Sequence, residues 1–208
     1  MVLVKMKNIS ALIICAGLSQ RMGSIKSLIE YQGTPFLALI IKKCASVCKD
    51  IIVVTGYESE YVQRKISCWI QKDSPDLLRN IKWSHNADFQ KGMLTSLQKG
   101  LREAKKTDWL LYHFVDQPVI PQEFYHELIQ QADNDFEWIQ PVYNGQNGHP
   151  LLFSQTLITR ILGISPKQSL RVISKDKKLK KKLWPCAFPE ILDDYDTPQQ
   201  LQQLMGND

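Results

Sequence analysis

Three short apolar runs constrain the fold of this chain more than any other feature. They are Ile9 to Cys15 (ISALIIC), Asp50 to Gly56 (DIIVVTG) and Asp108 to Asp116 (DWLLYHFVD). Each is of strand length, and each is apolar almost throughout rather than alternating. Runs of that kind suit strands buried on both faces of a parallel sheet. Ile81 to Asn86 (IKWSHN) and Glu137 to Tyr143 (EWIQPVY) are shorter or more polar candidates for the same role. Helical patterns lie between them, in PFLALIIKKCASV, YESEYVQRKISCWI, GMLTSLQKGLREAKK, PQEFYHELIQQA and TPQQLQQLM. In the third, Met93, Leu94, Leu97 and Leu101 fall on one side. Pro35 and Pro121 open their segments, and Thr197 with Pro198 forms a capped start. Strand–helix alternation predicts an α/β fold: a single doubly wound, Rossmann-like three-layer sandwich with a mostly parallel sheet. The chain has 208 residues, is 44% hydrophobic and contains no Pro/Gly/Ser-rich linker, so one domain over 1–208 is expected. Ligands of such sheets bind beyond the carboxyl ends of the strands. The loops to inspect therefore follow Cys15, Thr55, His85 and Val115.

Charge and cysteine content exclude several functional classes. The formal net charge is +5, but Lys175 to Leu183 (KDKKLKKKL) alone carries six lysines and one aspartate. The remainder is about neutral, so no fold-wide footprint for specific nucleic-acid binding is expected. The lysine run is read as a solvated basic helix, with attraction of an anionic ligand or partner as the alternative. The five cysteines form no C-x-x-C pair and are expected to be buried free thiols of a reducing compartment rather than a zinc site. The first apolar run, about ten residues long, leads directly into a polar, arginine-bearing loop with no A-x-A-like cleavage site. No run approaches the roughly 18 to 20 apolar residues of a membrane span. A cytoplasmic location without membrane contact is the expectation.

The loop after the first run, Cys15 to Ser27 (CAGLSQRMGSIKS), has the materials of an anion cradle. It is not a P-loop: five residues separate Gly17 from Gly23, and Lys26 lies two positions too far on. Nor is it a dinucleotide fingerprint, because Ser19 stands where a second glycine is required. Gly17 and Gly23 still allow close backbone approach, Arg21 offers bidentate contacts and Lys26 a point charge. The residues alone leave open a phosphate site or an ordinary loop with exposed cations. Asp116 ends the third run, so its carboxylate would share the sheet edge with this loop. A carboxylate facing phosphates needs a cation between them, and Mg²⁺ takes one or two carboxylates plus phosphate oxygens. The alternative is an aspartate capping a turn before Pro118. Gly92 and Met93 open a helix whose N-terminal amides face that edge, with Ser96 one turn inside. His149, in NGQNGHPLLF after a turn, and Asp194 and Asp196, before the capped C-terminal helix, complete the candidates.

In this order the pieces resemble the MobA-like nucleotidyltransferases, and among them the molybdenum cofactor cytidylyltransferase branch. The opening L-A-A-G-x-S-x-R-M-G-x-x-K pattern is matched by IICAGLSQRMGSIK, with Cys15 in place of a small residue. The N…G-M-x-x-S element is matched by Asn86, Gly92, Met93 and Ser96. D-Q-P is Asp116-Gln117-Pro118, G-H-P is Gly148-His149-Pro150, and D-x-D-T-P is Asp194 to Pro198. The resemblance implies a nucleotide-diphospho-sugar transferase-like fold and transfer of a nucleoside monophosphate, usually from CTP, to a phosphorylated acceptor, molybdopterin, with release of pyrophosphate. Residue by residue, it implies that the backbone of Ala16 and Gly17, with Ser19, Gly23, Arg21 and Lys26, holds the triphosphate. Asp116 would bind Mg²⁺, with Asp196 as second ligand and Asp194 as competitor. Thr55, Gly56, Gly92 and Ser96 would line base and ribose, and His149 would lie on the acceptor side. Arg21, Lys26 and Asp116 would be the catalytic set. No side-chain nucleophile is needed, because the acceptor phosphate carries the attacking oxygen. Transient contact with a molybdoenzyme or its chaperone is a further implication. Where the branch often has Gly-Asp-x-Gly-Ala-Arg, this chain reads SPKQSLR and keeps only Arg171. The competing readings are the same chemistry with another acceptor or with GTP, and a non-catalytic cofactor carrier or insertion chaperone.

Overall fold

A computed structural model describes residues 7–18, 23–104 and 106–206 of the chain. The chain opens with β1 (Ile9–Cys15), the small hairpin β2 (Glu30–Tyr31) and β3 (Thr34–Pro35), and α1 (Phe36–Ala45). Then come β4 (Asp50–Thr55), α2 (Ser59–Asp73), β5 (Ile81–His85), α3 (Met93–Leu101), β6 (Trp109–Phe114) and α4 (Gln122–Gln130). The last part contains β7 (Trp138–Tyr143), β8 (Gln146–Asn147), β9 (Leu151–Ser154), α5 (Gln155–Gly163), α6 (Arg171–Ser174), β10 (Lys181–Pro185) and α7 (Pro198–Gly206). The strand order of the main sheet is β10-β7-β9-β6-β1-β4-β5, with β8 hairpinned on β7. Only β9 runs against its neighbours β6 and β7 along that order; the other pairings are parallel. The predicted doubly wound, mostly parallel sandwich is what the chain forms.

The apolar runs become central strands because both their faces are covered. In β1, Ile9, Ala11, Ile13 and Cys15 face one core, and Leu12 and Ile14 face the other. β4 divides in the same way, Ile51 and Val53 against Ile52 and Val54. The first core is closed by α1, α2 and α4, through side chains such as Ile40, Ile66 and Phe124. The second is closed by α3, α5 and α6, through Leu97, Ile161 and Ile173. A continuous apolar run is the signature of such two-sided burial.

Three expectations are corrected. The lysine run is not a helix: Lys181–Pro185 forms β10, the edge strand beside β7. Lys181 lies over the Trp138 ring and Lys182 over Phe136, so ring contacts hold these lysines against the sheet. Lysines on an edge strand also discourage pairing with other chains. Met93 is not on the packed side of its helix; it is 61% exposed, whereas Leu94, Leu97 and Leu101 are buried. The five cysteines are free thiols, but Cys68 is exposed and Cys186 half-buried.

Candidate functional site

Strand order places the site. The chain builds β1, β4 and β5 outward to one side, then returns to lay β6 on the other side of β1. The loops leaving β1 and β6 therefore diverge, and a crevice opens at their carboxyl ends. A cleft of about 360 Å³ lies there, lined by Ala16 and Gly17 after β1, Lys26, Met93, and Asp116 and Asp196. Lys26 begins a short 3-10 turn and its side chain is only 12% exposed. Its ammonium hydrogen-bonds to an Asp196 carboxylate oxygen and lies 3.7 Å from Asp116 Oδ2. The other Asp116 oxygen, Oδ1, is buried without a hydrogen-bond partner. Burial pushes the Asp116 carboxyl up to about 6; Lys26 opposes that shift, and Asp194 and Asp196 add to it.

Asp194 and Asp196 reach this edge because the C-terminal segment is stitched to it. The Tyr195 N–H donates to the Asp116 carbonyl at 2.9 Å. The Gln200 N–H donates to Thr197 Oγ1 at 3.3 Å, and Gln200 Oε1 accepts from the N–H of Thr197 at 2.9 Å and of Asp196 at 3.0 Å. This capping box starts α7 and fixes the backbone of Asp196. Gln117 is 2% exposed, and its Nε2 donates to the Ile191 carbonyl at 3.1 Å, just before the acidic segment. Gln117 thus ties the loop after β6 to the acidic segment, a role the sequence motif did not disclose. Burial, then the nearby Asp196, raises the Asp194 carboxyl.

Among the described residues, no three His, Cys, Asp or Glu side chains converge as a ready-made metal cage. A Mg²⁺ site needs none, since that ion keeps waters and borrows phosphate oxygens. The Asp116–Asp196 pair, with Oδ1 of Asp116 buried and unpartnered, fits such an ion.

The other expected site residues are distributed around the cleft. Thr55 is buried at the end of β4 and its hydroxyl pairs with Ser59 Oγ at 2.6 Å. Gly56 packs so tightly that an added Cβ would stand 2.5 Å from the Ala16 carbonyl oxygen and 2.6 Å from the Phe89 ring. Ser96 is buried and accepts from Asn86 Nδ2 at 2.9 Å; Asn86 also donates to Thr95 Oγ1. Gly92 precedes α3 with a positive φ of 122° and open space around it. The side chains of Thr55 and Ser96 therefore do not open onto the cleft. Gly23 lines a neighbouring depression with Tyr57 and Tyr61. Ser19 and Arg21 lie outside the described residues. Arg171, at the start of α6, is exposed.

His149 reaches the same sheet edge because β9 runs backwards. Leu151 pairs with Tyr112 of β6, so the residues before it rise beside Phe114. The His149 ring meets Phe114 edge-on at 4.9 Å, and its Nδ1 is buried without a partner. Burial lowers its pKa to about 4, so the imidazole is neutral at pH 7.

Comparison with known proteins agrees with this fold. A solved nucleotidyl transferase from Methanothermobacter thermautotroptrophicus superposes with a TM-score of 0.77 at 18% identity, covering 96% of this chain and 97% of its own. The molybdenum cofactor cytidylyltransferase of Escherichia coli (strain K12) is 29% identical over 157 residues, 76% of each chain. A probable molybdenum cofactor guanylyltransferase of Bacillus cereus (strain AH187) is 25% identical over 148 residues, 71% of this chain and 68% of that one. Residues 11–182 match the MobA-like NTP transferase domain, a span that holds the β1 loop, Lys26, Asp116 and the Gly148-His149-Pro150 turn. With fold and sequence in agreement, the chain belongs to the MobA-like NTP transferase family and is a nucleotidyltransferase.

Proposed function

We propose that the protein transfers CMP from CTP to the phosphate of molybdopterin in a Mg²⁺-dependent reaction that releases pyrophosphate. The observation that carries this reading is the convergence of Lys26, Asp116 and Asp196 on the backbone of Ala16 and Gly17 in one cleft. A glycine-containing turn lets backbone N–H groups approach phosphates, and Lys26 adds charge where a leaving pyrophosphate develops it. Arg21 is assigned to the same phosphates. Asp116 and Asp196 would hold Mg²⁺, which neutralises charge on phosphate oxygens when bound. Neutral His149 can accept or donate one hydrogen bond on the acceptor side without adding charge. The acceptor phosphate supplies the attacking oxygen, so the residues need only align it with the α-phosphorus and exclude water. Gly56 and Gly92 would shape the wall next to base and ribose, with Thr55 and Ser96 buried behind it. The protein would work in the cytoplasm and pass its product on through brief contact with a molybdoenzyme or its chaperone.

Cytidine is preferred because the relative at 29% identity is named a cytidylyltransferase. GTP is the second reading, supported by the relative at 25% identity named a probable guanylyltransferase. Pyrophosphate release measured with CTP, GTP, ATP and UTP, each with molybdopterin and Mg²⁺, separates them. CTP is expected to give the highest kcat/KM. A GTP preference would replace the base assignment. Cofactor binding with no Mg²⁺-dependent pyrophosphate release from any nucleotide would favour a carrier instead.

A further inference from the structure

The cleft holds two carboxylates, from Asp116 and Asp196, and the Lys26 ammonium lies between them. Lys26 is not a loose surface lysine. Its side chain is 12% exposed and its ammonium bridges Asp196 and Asp116, the pair assigned above to the metal. A divalent ion held by these two carboxylates would lie close to that ammonium. Two cations so close repel strongly where the side chains are largely shielded from water. Sharing the two carboxylates in the present arrangement therefore carries a repulsive cost.

We propose that Lys26 occupies the metal's place in the nucleotide-free protein, and that the two cations exchange when the triphosphate arrives. Phosphate oxygens draw the ammonium off Asp116 and Asp196, and those carboxylates become available to the divalent ion. The lysine then stands on the phosphates, where its charge serves the reaction. The proposal rests on the metal assignment made under Proposed function. Its consequence is a coupling. Nucleotide and divalent ion each favour the other's binding through Lys26, by the same factor in both directions. The ion on its own binds weakly, because it must first displace an ion pair.

The test is Mn²⁺ binding to the full chain without nucleotide, read from the electron paramagnetic resonance signal of the free ion. Wild type, Lys26→Met, Lys26→Arg and the double variant Lys26→Met/Asp116→Asn are compared, each checked for native fold by circular dichroism. Lys26→Met is expected to bind Mn²⁺ about tenfold more tightly than wild type, the loss of one modest competing ion pair. Lys26→Arg keeps the charge and is expected to bind as weakly as wild type. The double variant is expected to lose the gain, which locates the ion at Asp116. Equal or weaker Mn²⁺ binding by Lys26→Met would overturn the proposal. So would a gain that survives in the double variant, or no Mn²⁺ binding by any of the four proteins. No turnover is measured, so a failure of CTP or molybdopterin as substrates would leave this result standing.

Discussion

His113 shows how one residue can set the acid stability of the molecule. It is fully buried in β6, where its Nδ1–H donates to the Phe114 carbonyl at 2.7 Å and Nε2 accepts from the Tyr125 hydroxyl at 2.7 Å. Burial lowers its pKa from 6.5 to about 3. Between those values the unfolded chain takes up a proton that the folded chain refuses. Stability is therefore full above about pH 6.5 and falls with acidification, by about 1.4 kcal/mol per pH unit from this group. His149 acts in the same direction. Urea unfolding at pH 6.5, 5.5 and 4.5 should show a shallower pH dependence in His113→Gln than in wild type. Gly56 is the second case. An alanine there meets the Ala16 carbonyl and the Phe89 ring, so Gly56→Ala should lose about 1–3 kcal/mol of stability. Because Ala16 lines the cleft, nucleotide affinity by calorimetry should fall as well. Asp116 was legible in the sequence because a charged residue directly after an apolar run must sit at a strand end; Lys26 was legible as a cation of the loop after β1, and Asp196 only through the family resemblance. The buried pairing of Thr55 with Ser59, the cross-link by Gln117 and the exposure of Met93 were not, because each depends on what packs opposite.

Elements divide along similar lines. The β1, β4 and β6 strands were readable, since burial on both faces demands unbroken apolar runs, whereas β5, at the sheet edge, and β7 gave weaker signals. The later elements were not readable. β9 has four residues and follows Pro150, too short a run to stand out, yet its reversed direction delivers His149. In β10 the lysines outnumbered the β signal, and pairing with β7, the buried Trp184 and the Trp138 and Phe136 rings beneath the lysines explain the strand. The capped start of α7 was legible and has a consequence. Thr197→Ala removes half of a capping box and should cost about 1 kcal/mol, measured by thermal unfolding. It should also loosen Asp196, so Mg²⁺-dependent activity should fall further than stability alone explains. Gly100 offers a contrast away from the loop after β1. It lets α3 lie against Leu12 and Val54, so Gly100→Ala should lower the melting temperature by roughly 2–10 °C through overpacking.

On the scale of the whole molecule, strand order does most for function. The return of the chain from β5 to β6 splits the loops on either side of β1 and opens the cleft. The antiparallel β9 and the C-terminal segment then bring residues far apart in sequence to one sheet edge: Ala16, Lys26, Asp116, His149 and Asp196. No helix among the described residues is long and apolar enough to cross a membrane. The general architecture and the sheet edge were legible from alternation alone. That Lys26 would sit between the two aspartates was not, because side-chain pairing is set only once both loops have folded. The most direct test is pyrophosphate release from CTP and molybdopterin, with and without Mg²⁺, by wild type and Asp116→Asn. Wild type should turn over only with the divalent ion, and Asp116→Asn should lose at least about a hundredfold in kcat while retaining its fold. Undiminished turnover by Asp116→Asn, or equal turnover by wild type without a divalent ion, would contradict the assignment of this cleft as a metal-dependent nucleotidyl-transfer site.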